Sequence, residues 1–151
     1  MSSNVWTMLD DYFSSNDGVM LHGLGVHSSQ IKIAEDILDL KFSDAHKRFI
    51  EKYDGALLPG QTIYGLFQIP DEKPYILENI ILKTIYAKTK QKWPGIEDWY
   101  IISDDGRGNP IGVNPKGEVF LSDHDSGFEQ VKLADSFEEF LHKLLTDTLY
   151  E

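Results

Sequence analysis

The chain has 151 residues, the size of one domain, and no cysteine, which excludes disulfides, thiolate metal sites and a cysteine nucleophile. Hydrophobic residues make up 41% and aromatics 12%, too apolar a composition for a disordered chain. The net charge of −11 is uneven: residues 1–30 carry −3, residues 31–92 carry +1, and residues 93–151, with 13 acids against 4 bases, carry −9. A C-terminal part of that sign repels nucleic acid and attracts basic surfaces. It serves either solubility alone or an acidic face for a cationic protein partner.

Met1 to Phe13 lacks a basic start and holds Asp10 and Asp11, so it does not read as a signal peptide. Val5, Trp6, Met8, Leu9, Tyr12 and Phe13 fall at the spacing of a short helix, which Asn16-Asp17-Gly18 ends as a turn. Val19 to Val26 reads as an irregular loop. Ser28 or Ser29 is expected to cap a second helix with Ile31, Ala34, Ile37 and Leu38 on one face. Ser43 is expected to cap a third, with Ala45, Phe49 and Tyr53 facing one way. Asp54-Gly55 closes it, with the glycine available for the left-handed position. After the turn Pro59-Gly60, the β-branched and aromatic run Thr62 to Ile69 predicts a strand. Pro74 is placed to start a fourth helix carrying Ile76, Ile80, Leu82, Ile85 and Tyr86. Its end is basic at Lys83, Lys88, Lys90 and Lys92, which suits the helix dipole. No apolar run reaches the ~20 residues of a membrane helix.

Beyond Trp93-Pro94-Gly95 the pattern changes. Trp99 to Ser103, Pro110 to Val113, Glu118 to Leu121 and Gln130 to Leu133 are short strand-like runs between turn-rich links, which predicts an antiparallel meander. Ser136-Phe137-Glu138-Glu139 has the form of a capping box, and Phe137, Phe140, Leu141, Leu144 and Leu145 make a broad apolar stripe for a closing helix. Helices outside a run of strands indicate an α+β single domain, an antiparallel-dominated mixed sheet with helices packed on one face or end.

The motifs that could carry chemistry are weak. Asp104-Asp105-Gly106-Arg107-Gly108-Asn109 is not a phosphate loop, because Pro110 and a strand follow it. It is not an EF-hand either, which would require a carboxylate at position 115, a proline here. Asp123-His124-Asp125 offers competent metal ligands, but adjacent residues on an extended segment point to opposite sides. His22 and His27 are a second, weaker pair. No Gly-x-Ser-x-Gly is present. The expectation is therefore no catalysis, no cofactor and no metal. Exposed polar turns can still be contact surfaces. The candidate partner-binding residues are Trp93 and Trp99 as apolar anchors, with Asp104, Asp105, Arg107, Asn109, Asp123, His124 and Asp125 on the turns.

The order of segments resembles a known family. Ile31-x-x-Ala34-Glu35-x-x-Leu38-x-Leu40-x-Phe42 is similar to the opening helix of the SUKH superfamily, the Smi/Knr-like domains. Phe49-x-x-x-Tyr53-Asp54-Gly55 resembles its second helix, and Ile63-Tyr64-Gly65-Leu66 the strand that follows. Trp99 to Asn109 resembles its strand and Asp-Gly-x-Gly turn, and Glu118 to His124 its strand ending in Asp-His. Leu133-Ala134-Asp135-Ser136-Phe137-Glu138-Glu139-Phe140-Leu141 is similar to its closing helix. The resemblance spans about residues 28–146; Pro110 and Asn114 depart from the family pattern. It implies one domain over 1–151, with 1–27 a family-variable helix and loop. It also implies a cytoplasmic, non-catalytic binding protein. Bacterial members are mostly immunity proteins that neutralise a cognate toxin, often a nuclease; others are scaffolds or regulators of cell-wall assembly or signalling. An acidic protein of this kind suits a basic toxin domain, without direct contact to nucleic acid or membrane.

Overall fold

The four C-terminal runs do pair as an antiparallel meander. In the computed structural model, which describes residues 2–16, 21–66 and 79–150, they are β3 (Tyr100–Asp104), β4 (Pro110–Val113), β5 (Val119–Asp123) and β6 (Glu129–Ala134), in the order β3-β4-β5-β6. Before them come α1 (Ser2–Ser15), α2 (Ser28–Leu38), α3 (Asp44–Tyr53), the hairpin β1 (Ala56–Leu58) and β2 (Gln61–Ile63), and α4 (Ile80–Thr89). The chain closes with α5 (Phe137–Leu145). This is an α+β domain built around one buried cluster.

Local chemistry sets most of the boundaries. Ser43 caps α3 by accepting the His46 N–H, and Ser136 caps α5 by accepting that of Glu139. Glu139 reaches back one residue further than a capping box requires, to the Asp135 N–H at 2.6 Å. At α2 the cap is His27, not Ser28 or Ser29: its Nδ1 accepts the Ser29 N–H. Ile31 and Ala34 of α2 are buried, whereas Ile37 is 56% exposed, so the apolar face is narrower than its spacing suggests. On α4, capped by Asn79, only Ile80, Thr84 and Ala87 are buried; Leu82, Ile85 and Tyr86 face outward. Pro74, Ile76 and the strand residues expected at 67–69 lie outside the described residues, as do Asp17 and Gly18.

The close of α3 differs from expectation. Asp54, not Gly55, takes the positive φ of 65°. Gly55 and Gly65 are needed for close approach: a Cβ on Gly55 would lie 2.8 Å from the Gly65 nitrogen, and one on Gly65 would lie 2.6 Å from Asp54 Oδ1. The buried Asp54 carboxylate accepts the Leu66 N–H at 2.6 Å and so clamps the chain leaving β2. Because β1 precedes the Pro59-Gly60 turn, the strand expected from Thr62 is the second half of a hairpin.

That hairpin seals one edge of the sheet. The Tyr64 N–H donates to the Ile102 carbonyl at 2.8 Å, Ser103 Oγ donates to the Thr62 carbonyl, and Thr84 Oγ1 of α4 accepts the Ile101 N–H. Phe49 of α3, Phe137 and Phe140 of α5, and Tyr100, Ile102, Ile111, Val113 and Val119 of the sheet meet in the core. Burying each aromatic ring contributes roughly 1.5–3 kcal/mol. α1 joins the same core through Val5, Trp6, Leu9 and Phe13, and Trp6 Nε1 donates to Glu138 at 3.0 Å. No helix among the described residues is long and apolar enough to cross a membrane.

Candidate functional site

Two turns meet at one end of the meander, the β3–β4 turn at 105–109 and the 3₁₀ turn His124–Ser126 that follows β5. Asn109 joins them. Its side chain is fully buried; Oδ1 accepts the His124 N–H at 3.0 Å, and Nδ2 donates to Asp105 at 2.8 Å and to Asp123 at 3.4 Å. The ring nitrogen Nδ1 of His124 also bonds Asn109 Oδ1, which makes Nδ1 the protonated nitrogen and leaves Nε2 3.3 Å from Asp125. Asn109 is thus the frame of the site and no contact residue.

The acids divide into two kinds. Asp105 is a frame acid, with a side chain 4% exposed. It accepts the N–H groups of Arg107 and Asn109. Burial alone would raise its pKa. The Asn109 amide, these two N–H groups and the Arg107 guanidinium outweigh that and hold it below the ordinary value. Asp104 accepts the Tyr64 hydroxyl and the Gly106 N–H; Asp123 caps the 3₁₀ turn through the Asp125 N–H and Ser126 Oγ. Asp125 and Arg107, by contrast, are exposed. Arg107 lies 3.5 Å from Asp105 and 4.0 Å from Asp123, so the turns keep a negative balance.

The two tryptophans part company. Trp99 is 2% exposed and packs against Phe120 over Gly112, where a Cβ would lie 2.7 Å from its ring. The anchor role expected of it is therefore closed off by burial. Trp93 is half-buried at the turn end: Nε1 donates to Ser122 Oγ at 2.7 Å, and its ring meets those of Phe128 and His124 edge-on. Phe128 was not singled out by the sequence, because Gly127-Phe128 reads as an ordinary entry to a strand.

Asp123, His124 and Asp125 bring one ligand atom each within 4.8 Å of one another. The expectation that they diverge fails because His124 and Asp125 lie on a 3₁₀ turn and not on an extended strand. The set could coordinate a cation chemically, yet Asp123 and His124 Nδ1 are already committed to the frame. His22 and His27 are apart in role: His22 packs on Phe13 and Tyr53, and His27 caps α2. A cleft of about 510 Å³ elsewhere is lined by Glu35, Asp36, Asp39, Lys41, Asp98 and Tyr100, among others.

The arrangement suits recognition of charge by a rigid surface, and the wider fold matches the frame the resemblance implies: the paired turns, the Asp54–Gly55 corner and the Ser136-Phe137 helix all take defined structural roles. No curated protein matches the chain. Residues 25–143, most of its length, match the SMI1 / KNR4 family (SUKH-1), and the chain belongs to that family.

Proposed function

We propose that this protein is an immunity protein, which neutralises a cognate toxin by binding it and carries out no reaction of its own. What supports the reading is the concentration of acids at the turn end of the sheet on a frame already fixed by hydrogen bonds. A rigid acidic surface loses little entropy on docking and steers a basic partner toward itself. The partner class is a basic toxin domain, a nuclease being the kind whose cationic active site such a surface would occlude. The encounter is placed in the cytoplasm, where a nuclease would act. The chain contacts the toxin and neither nucleic acid nor membrane, and it needs no metal or cofactor for this.

The test is co-expression in a toxin-sensitive bacterial host with the toxin encoded beside its gene. Restored growth, with a complex that co-purifies and weakens with salt, supports the reading. If the purified chain forms no complex with that toxin and growth stays arrested, the reading fails and a scaffold or regulator of cell-wall assembly takes its place.

A further inference from the structure

We propose that Phe128 and Trp93 anchor an extended, lysine- or arginine-bearing segment of the protein partner, laid along the open edge of β6; this rests on the immunity reading. Phe128 has a φ of 65°, a conformation that bulky side chains rarely adopt, and the residue stays 40% exposed. The turn sets that backbone, since the Phe128 N–H donates to the Asp123 carbonyl at 2.8 Å. What the backbone does is hold the ring edge-on to Trp93, with centroids 5.4 Å apart and planes at 89°. Trp93 is itself fixed by Ser122, and His124 lies edge-on at 6.0 Å. The result is a preformed aromatic surface at the acidic end of the sheet.

Its surroundings select a cation. Residues 97–129 hold 8 acids and 2 bases. Glu129 follows Phe128 directly, Asp125 is exposed beside His124, and Glu97 bonds the Gly95 N–H next to Trp93. The nearby cations are partly committed: Arg107 to Asp105 and Asp123, and Lys88 to the Glu97 carbonyl, while Lys92 is exposed. A lysine or arginine head group is attracted both by the ring faces and by these carboxylates.

The strand that begins at Phe128 supplies the other half. The edge formed by β3 is sealed by the β1–β2 hairpin and α4, but among the described residues β6 pairs with β5 alone. Residues 129–132 are exposed, and among the described residues no backbone group outside β5 bonds their N–H or C=O groups; the Gln130 side chain donates to the Gly95 carbonyl at 2.6 Å. Half of their N–H and C=O groups point away from β5, as an added strand requires. Lys132, the one cation on this stretch, is neutralised by Glu118 at 2.9 Å and Asp135 at 3.0 Å.

The probe is a short synthetic peptide alternating arginine and valine, titrated into the whole protein and followed by amide and indole NMR shifts. Shifts confined to Phe128–Lys132 and the Trp93 indole are expected, with no response to glutamate–valine or glutamine–valine peptides. Phe128→Gly should weaken binding at least tenfold while leaving the melting temperature unchanged or raised, because glycine takes the positive φ freely. Equal binding of the acidic peptide, shifts on another face, or undiminished binding by Phe128→Gly overturns the proposal. So does a melting temperature that falls, which would make Phe128 structural. The two readings separate cleanly. If Phe128→Gly still neutralises the toxin, the anchor is wrong and the immunity function stands. If the arginine peptide docks here while no toxin is neutralised, the anchor stands without that function.

Discussion

His46 makes the stability of this protein depend on pH in a way that one substitution should remove. The ring is fully buried between Tyr100, parallel at 5.4 Å, Phe137 at 4.3 Å and Phe42 at 5.6 Å. Nδ1 bonds the Tyr100 hydroxyl at 3.2 Å, and Nε2 has no hydrogen-bond partner among the described residues. With no carboxylate against it, burial pushes its pKa down from 6.5 to about 3. Unfolding exposes a ring that takes up a proton near pH 6.5 while the folded ring does not. Stability from this group is therefore full above about pH 6.5 and is lost as pH falls toward about 3. At about 1.36 kcal/mol per unit, the loss between pH 7.5 and 5.0 is about 2 kcal/mol. At pH 5.0 that loss depends almost wholly on the unfolded value, since the folded ring is still neutral. His46→Leu removes the titration and leaves Tyr100 Oη accepting the Ser43 N–H at 3.1 Å. Urea unfolding of both proteins at the two pH values, at fixed ionic strength, measures the difference; the carboxylates contribute alike to both and cancel. The wild type should lose about 2 kcal/mol more than the variant. Equal losses would refute the argument that His46 is buried neutral.

Phe137→Ala and Phe140→Ala should each cost roughly 3–5 kcal/mol in urea unfolding, since both rings are buried in the core; wild-type stability in either would mean that α5 packs by another face. Gly65→Ala should cost about 3 kcal/mol or more, because its Cβ would meet the Asp54 carboxylate and the Gly55 nitrogen. A freely folding variant would show that the Asp54 corner relaxes. If the proposed immunity function holds, Asp125→Lys with Glu129→Lys should slow association with the cognate toxin about tenfold at low salt and less at high salt, measured by stopped flow, with an unchanged melting temperature. A salt-independent rate that ignores both reversals would return the acidic surplus to a role in solubility.

Much of the architecture was legible because it rests on short-range rules. Ser43 and Ser136 cap where a hydroxyl precedes a helix, and the four C-terminal strands fall where β-branched runs alternate with glycine-rich turns. What was not legible depends on contacts distant in sequence. The three residues of β1 carry no pattern of their own and become a strand only by pairing with β2. Trp99 looks no different from Trp93 in the sequence; the absence of a side chain on Gly112, across the β3–β4 pair, is what lets Trp99 pack down while Trp93 stays half-exposed. Ile37 and Leu82 show the same limit, since helical spacing names a face without saying how much of it the neighbours cover.

The acids of the candidate site make the point for function. Asp104, Asp105, Asp123 and Asp125 all stand in turn sequences and count equally toward net charge. Folded, three of them accept hydrogen bonds that hold the turns in place, whereas the exposed Asp125 carboxylate lies 3.3 Å from His124 Nε2. Reversing Asp104 or Asp123 would therefore disturb the frame as well as the field, and a lost interaction could not be assigned to either. The field itself is less divided than the bonds: a carboxylate that accepts N–H groups still contributes its charge at the surface. Under the proposed reading the frame acids steer a partner without touching it, and contact falls to Phe128, Trp93, Asp125 and Glu129 beside them. A surface divided in this way lets the contact residues change while the fold that presents them stays fixed.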